Sequence, residues 1–146
     1  TLHALGRPRP SFIGGPELRA PDFLETAGAA ANGVGAVCAC ADVSTSLRLA
    51  DQRFVQVFQA EHGVPPGPGA VEAWDAANLL AEAIAAAGAS HDALAAWVAS
   101  RARFEGLGGT YVFAPSGELA DPADHTFRYR VEGGRWIDAT ADRSVR

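Results

Sequence analysis

At 146 residues, 48% of them hydrophobic, the chain is long enough for one domain with a real core and is not composed like a disordered segment. No uncharged stretch approaches the roughly 18 to 20 strongly apolar residues that a membrane-spanning helix needs. The net charge is -5 and all 12 basic residues are arginines, scattered from Arg7 to Arg146; no run is dense enough to neutralise several phosphates, which excludes nucleic acid as a partner.

The chain starts at Thr1 with no basic or apolar leader, so no signal peptide is visible, and such a start is expected of a chain cut from something longer. After the Pro8 and Pro10 breakers, Ser11-Phe12-Ile13 reads as a short strand closed by Gly14-Gly15. Pro21 suits the first turn of a short helix through Phe23, Leu24 and Ala27, with Gly28 as its terminator. Residues 33–41 are apolar and uncharged, the pattern of a strand buried on both faces. Within them Cys38 and Cys40 would point to one face about 7 Å apart, poor geometry for a disulfide, and read as small buried hydrophobes.

Ser44, Thr45 and Ser46 offer N-cap hydroxyls to a helix whose Leu47, Ala50, Phe54, Val57 and Phe58 share a face, ending at Gly63; Asp51 and Glu61 would face water. The stiff loop at residues 64–69 leads into a strong helix from Ala70 to Ala87, striped by Val71, Trp74, Ala77, Leu80 or Ala81, and Ile84, and closed by Gly88. Ser90 caps a further helix that buries Leu94, Trp97 and Val98. Residues 110–113 read as a strand, Pro115-Ser116-Gly117 as a turn, residues 127–137 as a hairpin turning at Gly133-Gly134, and the tail from Thr140 as polar and frayed.

No residues form a convincing catalytic set. His3, His62, His91 and His125 are far apart, read as surface residues and do not pair at metal-ligand spacing. The serines lack a nucleophile elbow. Gly106-Leu107-Gly108-Gly109 lacks the strand before and helix after that a phosphate loop needs, and neither Asp51 with Glu61 nor Asp121 with Asp124 is placed in a cleft by any pattern. No cofactor or metal is expected.

The order of four features resembles the C-terminal part of the type I periplasmic-binding-protein family, which includes leucine/isoleucine/valine-binding receptors of ABC importers. They are Phe12-Ile13-Gly14-Gly15 with Leu18 and Phe23-Leu24; Ala27-Gly28 with Asn32-Gly33-Val34; Trp74-Asp75-Ala76-Ala77-Asn78-Leu79-Leu80 with Ala83-Ile84 and Ala87-Gly88; and residues 106–117 containing Phe113. Trp74 stands where the family usually has Tyr.

The resemblance implies an α/β chain forming part of a two-lobed fold, with consecutive helices and a C-terminal β-hairpin. Residues 1–33 and 110–146 would be second-lobe elements, and residues 34–109 a crossing strand and first-lobe helices. It implies extracellular or periplasmic binding of a small polar solute, an amino acid or related metabolite, by the receptor of an ABC importer anchored through a missing N-terminal segment. The alternative is a noncatalytic sensing module of a membrane-bound kinase or regulator. Partners would be the solute, a membrane permease or sensor protein, and either the missing N-terminal half of the receptor or further copies in an intertwined homo-oligomer. Apolar surface should be exposed where absent elements would pack.

By the same resemblance Gly15 and Glu17 occupy the loop where branched-chain receptors place an acid for the ligand ammonium. Gly69 and Ala70 stand where relatives carry an aromatic wall, leaving room for a larger solute. Glu72 opens the following helix, where it would touch ligand or favour the helix dipole.

Overall fold

The computed structural model describes residues 12–101 and 103–141. His3, Pro8, Pro10, Ser11 and the last five residues of the expected tail lie outside them. The elements follow in the order β1 (Ile13–Gly14), α1 (Pro21–Ala27), β2 (Gly35–Cys38), α2 (Leu49–His62), α3 (Ala70–Ala87), α4 (His91–Ser100), β3 (Phe104–Glu105), β4 (Thr110–Tyr111), β5 (Phe127–Glu132) and β6 (Arg135–Asp138). They form two compact units, one contiguous from Ala39 to Thr126 and one assembled from the residues before Ala39 and after Thr126.

The discontinuous unit is a four-stranded sheet in the order β1-β2-β5-β6. β1 runs parallel to β2, with Ile13 opposite Gly35. β2 runs antiparallel to β5, with Gly35 opposite Arg130 and Cys38 opposite Phe127. β5 and β6 form the expected hairpin, turning at Gly133 and Gly134 with φ of 56° and 77°, the left-handed pair that matches strand twist in a tight hairpin. Ala36, Tyr129 and Val131 are buried in the sheet. The Arg19 guanidinium lies 3.7 Å from the Tyr129 ring centroid, and Phe23 of α1 stacks on Trp136 at 5.8 Å.

Two expectations fail here. β2 occupies only four residues of the apolar run, because Gly33 sits in a turn at φ 86° and the chain bends at Ala39. Both cysteines are disulfide-bonded rather than free thiols. Because the chain bends at Ala39, the two cysteines do not share one extended strand, the geometry that would hold their sulfurs apart.

The contiguous unit holds α2, α3, α4 and the β3–β4 hairpin around a small core of Val43, Phe54 and Val71, flanked by Phe58, Ala70 and Leu107. The helices end as read: Gly63 adopts the left-handed conformation after α2, Gly88 terminates α3, and the Ser90 hydroxyl accepts the Ala93 N–H at the start of α4.

The start of α2 differs from expectation. Its N-cap is Arg48, without a side-chain cap. Ser44 instead donates to Asp42 at 2.6 Å and Ser46 accepts the Arg48 N–H at 3.2 Å, so these hydroxyls shape the approach rather than cap the helix. Leu47 precedes the helix and is exposed, while Asp51, expected in water, is only 1% exposed.

The expected lobe limits at residues 33/34 and 109/110 differ from the limits of the compact units. β2 belongs to the discontinuous sheet, whereas β4 pairs with β3, Phe104 opposite Tyr111, and remains with the helices.

Candidate functional site

The densest polar arrangement lies within the contiguous unit and centres on Asp75, which α3 presents from its buried side. One carboxylate oxygen accepts the Leu107 N–H and the other accepts the Gly108 N–H, both at 2.8 Å; the second also accepts the Tyr111 hydroxyl at 2.9 Å. The glycine-rich loop between β3 and β4 is therefore an anion site whose anion belongs to the chain. Glycine is required where the carboxylate approaches: a Cβ on Gly106 would lie 2.3 Å from Asp75 Oδ2. Burial and the bond to Asp75 push the Tyr111 phenol above its ordinary range, since ionisation would place two negative charges together.

His125 continues the cluster. It is buried and stacks on Tyr111 at a centroid distance of 4.4 Å and 14° between planes. Its Nε2 lies 3.1 Å from the Thr110 carbonyl oxygen; a carbonyl only accepts, so Nε2 carries the proton. This corrects the expectation of a surface histidine, while His62 and His91 are exposed as expected.

One turn before Asp75, Glu72 accepts the Ala41 N–H at 2.6 Å. Burial raises its carboxyl above the ordinary range against that hydrogen bond, the Asp75 charge raises it further, and His125 opposes. A cavity of about 280 Å³ opens beside these groups, lined also by Leu79, Phe104, Phe113 and Leu119.

A second polar clamp holds the loop from the other side. Arg48 forms two hydrogen bonds with Asp51, at 2.8 and 2.7 Å, and donates to the Leu107 carbonyl. Burial would raise the Asp51 carboxyl, but the Arg48 and Ser46 hydrogen bonds and the guanidinium charge together hold it below the ordinary range.

Chemically these carboxylates position backbone. No nucleophile stands beside a free base in the cluster, and among the described residues no group of three or more His, Cys, Asp or Glu is arranged to hold a metal ion.

The sequence-derived site residues occupy different places. Gly15 precedes a 3₁₀ turn, Pro16–Arg19, that carries Glu17 exposed in the discontinuous unit. In the contiguous unit Gly69 takes φ 84° at the N-cap of α3, followed by Ala70 and Glu72 in its first turn. Sequence reading missed Asp75, Tyr111 and His125 as a cluster. The Gly-rich loop was the available signal, because a loop that dense in glycine can approach an anion with its backbone.

No family model matches the chain, and no curated protein matches it. Solved structures do. A leucine-binding protein, LivK, from Thermotoga maritima aligns over 93% of this chain and 38% of its own at 20% identity and a TM-score of 0.71. A substrate-binding protein of an ABC transporter from Desulfitobacterium hafniense, in complex with Leu, aligns over 94% and 37% at 23% identity and 0.67. A solute-binding protein from R. palustris, in complex with benzoate, aligns over 88% and 34% at 25% identity and 0.59. The chain carries part of the type I periplasmic-binding-protein fold.

It spans about two fifths or less of the length of these relatives, a coverage consistent with the C-terminal part of the type I fold. No helix among the described residues is long and apolar enough to cross a membrane.

Proposed function

We propose that this chain is part of an extracellular or periplasmic receptor that binds a small polar solute without transforming it and hands it to the permease of an ABC importer, with the receptor anchored to the membrane outside the described residues. The observation that carries this reading is the match of nearly the whole chain to solute-binding proteins of such transporters, at a TM-score of 0.71 for the Thermotoga protein. Two of the relatives hold leucine and benzoate. Their shared group is a carboxylate, and an amino acid or related small carboxylate is the solute class proposed here.

The candidate solute contacts are taken unit by unit: Gly15 and Glu17 within the discontinuous unit, and, separately, Gly69, Ala70 and Glu72 within the contiguous unit. Glu17 is exposed and its carboxylate is available to an ammonium group as a charge-assisted acceptor. Gly69 and Ala70 add no bulky side chain, which favours a solute larger than a simple aliphatic amino acid.

The test is a thermal-shift screen of the receptor as its natural host produces it, against amino acids and aromatic carboxylates. A ligand of the native state raises the apparent melting temperature by mass action. A flat response across the panel would reject the reading. For a solute that does shift melting, Glu17→Ala should weaken calorimetric affinity, and unchanged affinity would remove Glu17 from the site.

A further inference from the structure

We infer that the cavity beside α3 and the β3–β4 hairpin is a binding site for a small organic ammonium ion whose apolar body is about one ring in size. All of its lining residues belong to the contiguous unit. The site goes beyond the receptor reading: the solute proposed there is a carboxylate, and the lining here offers Glu72 to a cation instead.

The walls set the size and character of the guest. The cavity measures about 280 Å³, and an apolar cavity of about 150 Å³ already takes benzene. There is room for one ring and a short arm. Leu79, Phe104, Phe113 and Leu119 supply apolar surface together with the Tyr111 ring. Three aromatic side chains among them suit a cationic guest as well as an apolar one.

The polar side chains set its charge. The Tyr111 hydroxyl donates to Asp75 at 2.9 Å, and His125 Nε2 donates to the Thr110 carbonyl at 3.1 Å, so neither proton is open to a guest. Asp75 already accepts from three donors. Glu72 differs. Its Oε1 accepts the Ala41 N–H at 2.6 Å, while Oε2 is buried without a hydrogen-bond partner. A buried carboxylate oxygen left without a donor is costly. Two carboxylates line the cavity, with no lysine or arginine beside them among the described residues. The guest must therefore bring both the donor and the positive charge, which an ammonium group does and a carboxylate does not. Burial raises the Glu72 carboxyl above its ordinary range and the Asp75 charge adds to this; a cation beside Glu72 would relieve both.

Calorimetry on the full-length protein as its natural host produces it, with benzylamine, benzyl alcohol and benzoate as probes, tests the assignment. Benzylamine should bind saturably, one per chain. Benzyl alcohol, which has the ring and a donor without the charge, should bind roughly tenfold more weakly, and benzoate should not displace benzylamine. The absence of saturable benzylamine binding would overturn the inference. So would displacement by benzoate, or equal affinity for the alcohol.

Two variants tie the binding to this cavity. Leu119→Trp adds bulk at the wall where Leu119 bridges to Phe113 and should abolish benzylamine binding. Glu72→Gln keeps an acceptor for the Ala41 N–H and should weaken benzylamine roughly tenfold while leaving the affinity for benzyl alcohol unchanged, a selective loss that misfolding would not produce. Undiminished benzylamine affinity in both variants would place the amine elsewhere and reject the site. If either variant fails to fold, the displacement measurement on the unaltered protein still decides. A solute-induced thermal shift in a protein that ignores benzylamine would sink this inference alone, whereas saturable benzylamine binding beside a flat solute screen would sink only the receptor reading.

Discussion

The Tyr111 hydroxyl donates to Asp75 at 2.9 Å, across 36 residues of sequence. Through this contact and the two N–H bonds beside it, a single carboxylate fixes the β3–β4 loop against α3. Asp75→Ala leaves three donors without their acceptor and should destabilise the contiguous unit by about 3 kcal/mol. Tyr111→Phe, which keeps the ring on His125, should cost about 1 kcal/mol. Urea unfolding of the two variants checks the ordering; a larger loss for Tyr111→Phe would contradict it.

Gly106 is constrained by space. Its Cβ would meet the Asp75 carboxylate and the Tyr111 ring together, so Gly106→Ala must push the loop off α3 and should cost about 2 kcal/mol. Gly67→Ala is the control, because nothing lies within 4 Å of a Cβ there. Equal thermal stability of the two alanine variants would rule out the close approach.

Asp51 and Glu72 should respond to pH with opposite signs. The Asp51 carboxyl is depressed in the fold, so its contribution is present above the ordinary value of 3.8 and disappears as pH falls through the depressed one. Asp51→Asn should therefore weaken the chain at neutral pH and converge with the parent in acid. The Glu72 carboxyl is raised, so its stabilising contribution is complete below the ordinary value of 4.5 and is lost as pH rises through the raised one. Glu72→Gln keeps an acceptor for the Ala41 N–H and should gain on the parent as pH rises from 4 to 7. Denaturation midpoints at a series of pH values measure both, and parallel curves would contradict the assigned environments.

Oxidised cysteines make a simple count. The unfolded, unreduced chain should yield no titratable thiol, and reduction before unfolding should expose both cysteines of the sequence. Thiols found without reductant would restore the buried-thiol reading.

Much of the fold could be read from punctuation. Gly69 and Gly88 bracket α3 because glycine accepts the positive φ that begins and ends it, and Gly133-Gly134 marks the hairpin for the same reason. What escaped depends on partners that hydropathy does not encode. Asp51 reads as a solvated acid until Arg48, three residues earlier, turns back to neutralise it. Asp75 lies in an apolar helix and finds its donors more than thirty residues later. The α3 stripe predicts core packing for Trp74, yet Trp74, Leu80 and Ile84 are all exposed, because periodicity identifies an apolar face and not what covers it. Glu17 and Gly15 were placed by resemblance, and the structure adds the 3₁₀ turn that carries the acid.

The sheet is built from chain on both sides of the contiguous unit, so its central pairing is non-local. β2 cannot find β5 until the chain has closed a loop of some 90 residues, an entropic cost that grows only slowly with length but must be met before any β2–β5 pair forms. The contiguous unit needs no such return, for its helices, its Asp75 clasp and its small hairpin all lie between Ala39 and Thr126. A sheet closed over an insertion of this length depends on non-local pairing, the kind of contact that slows folding.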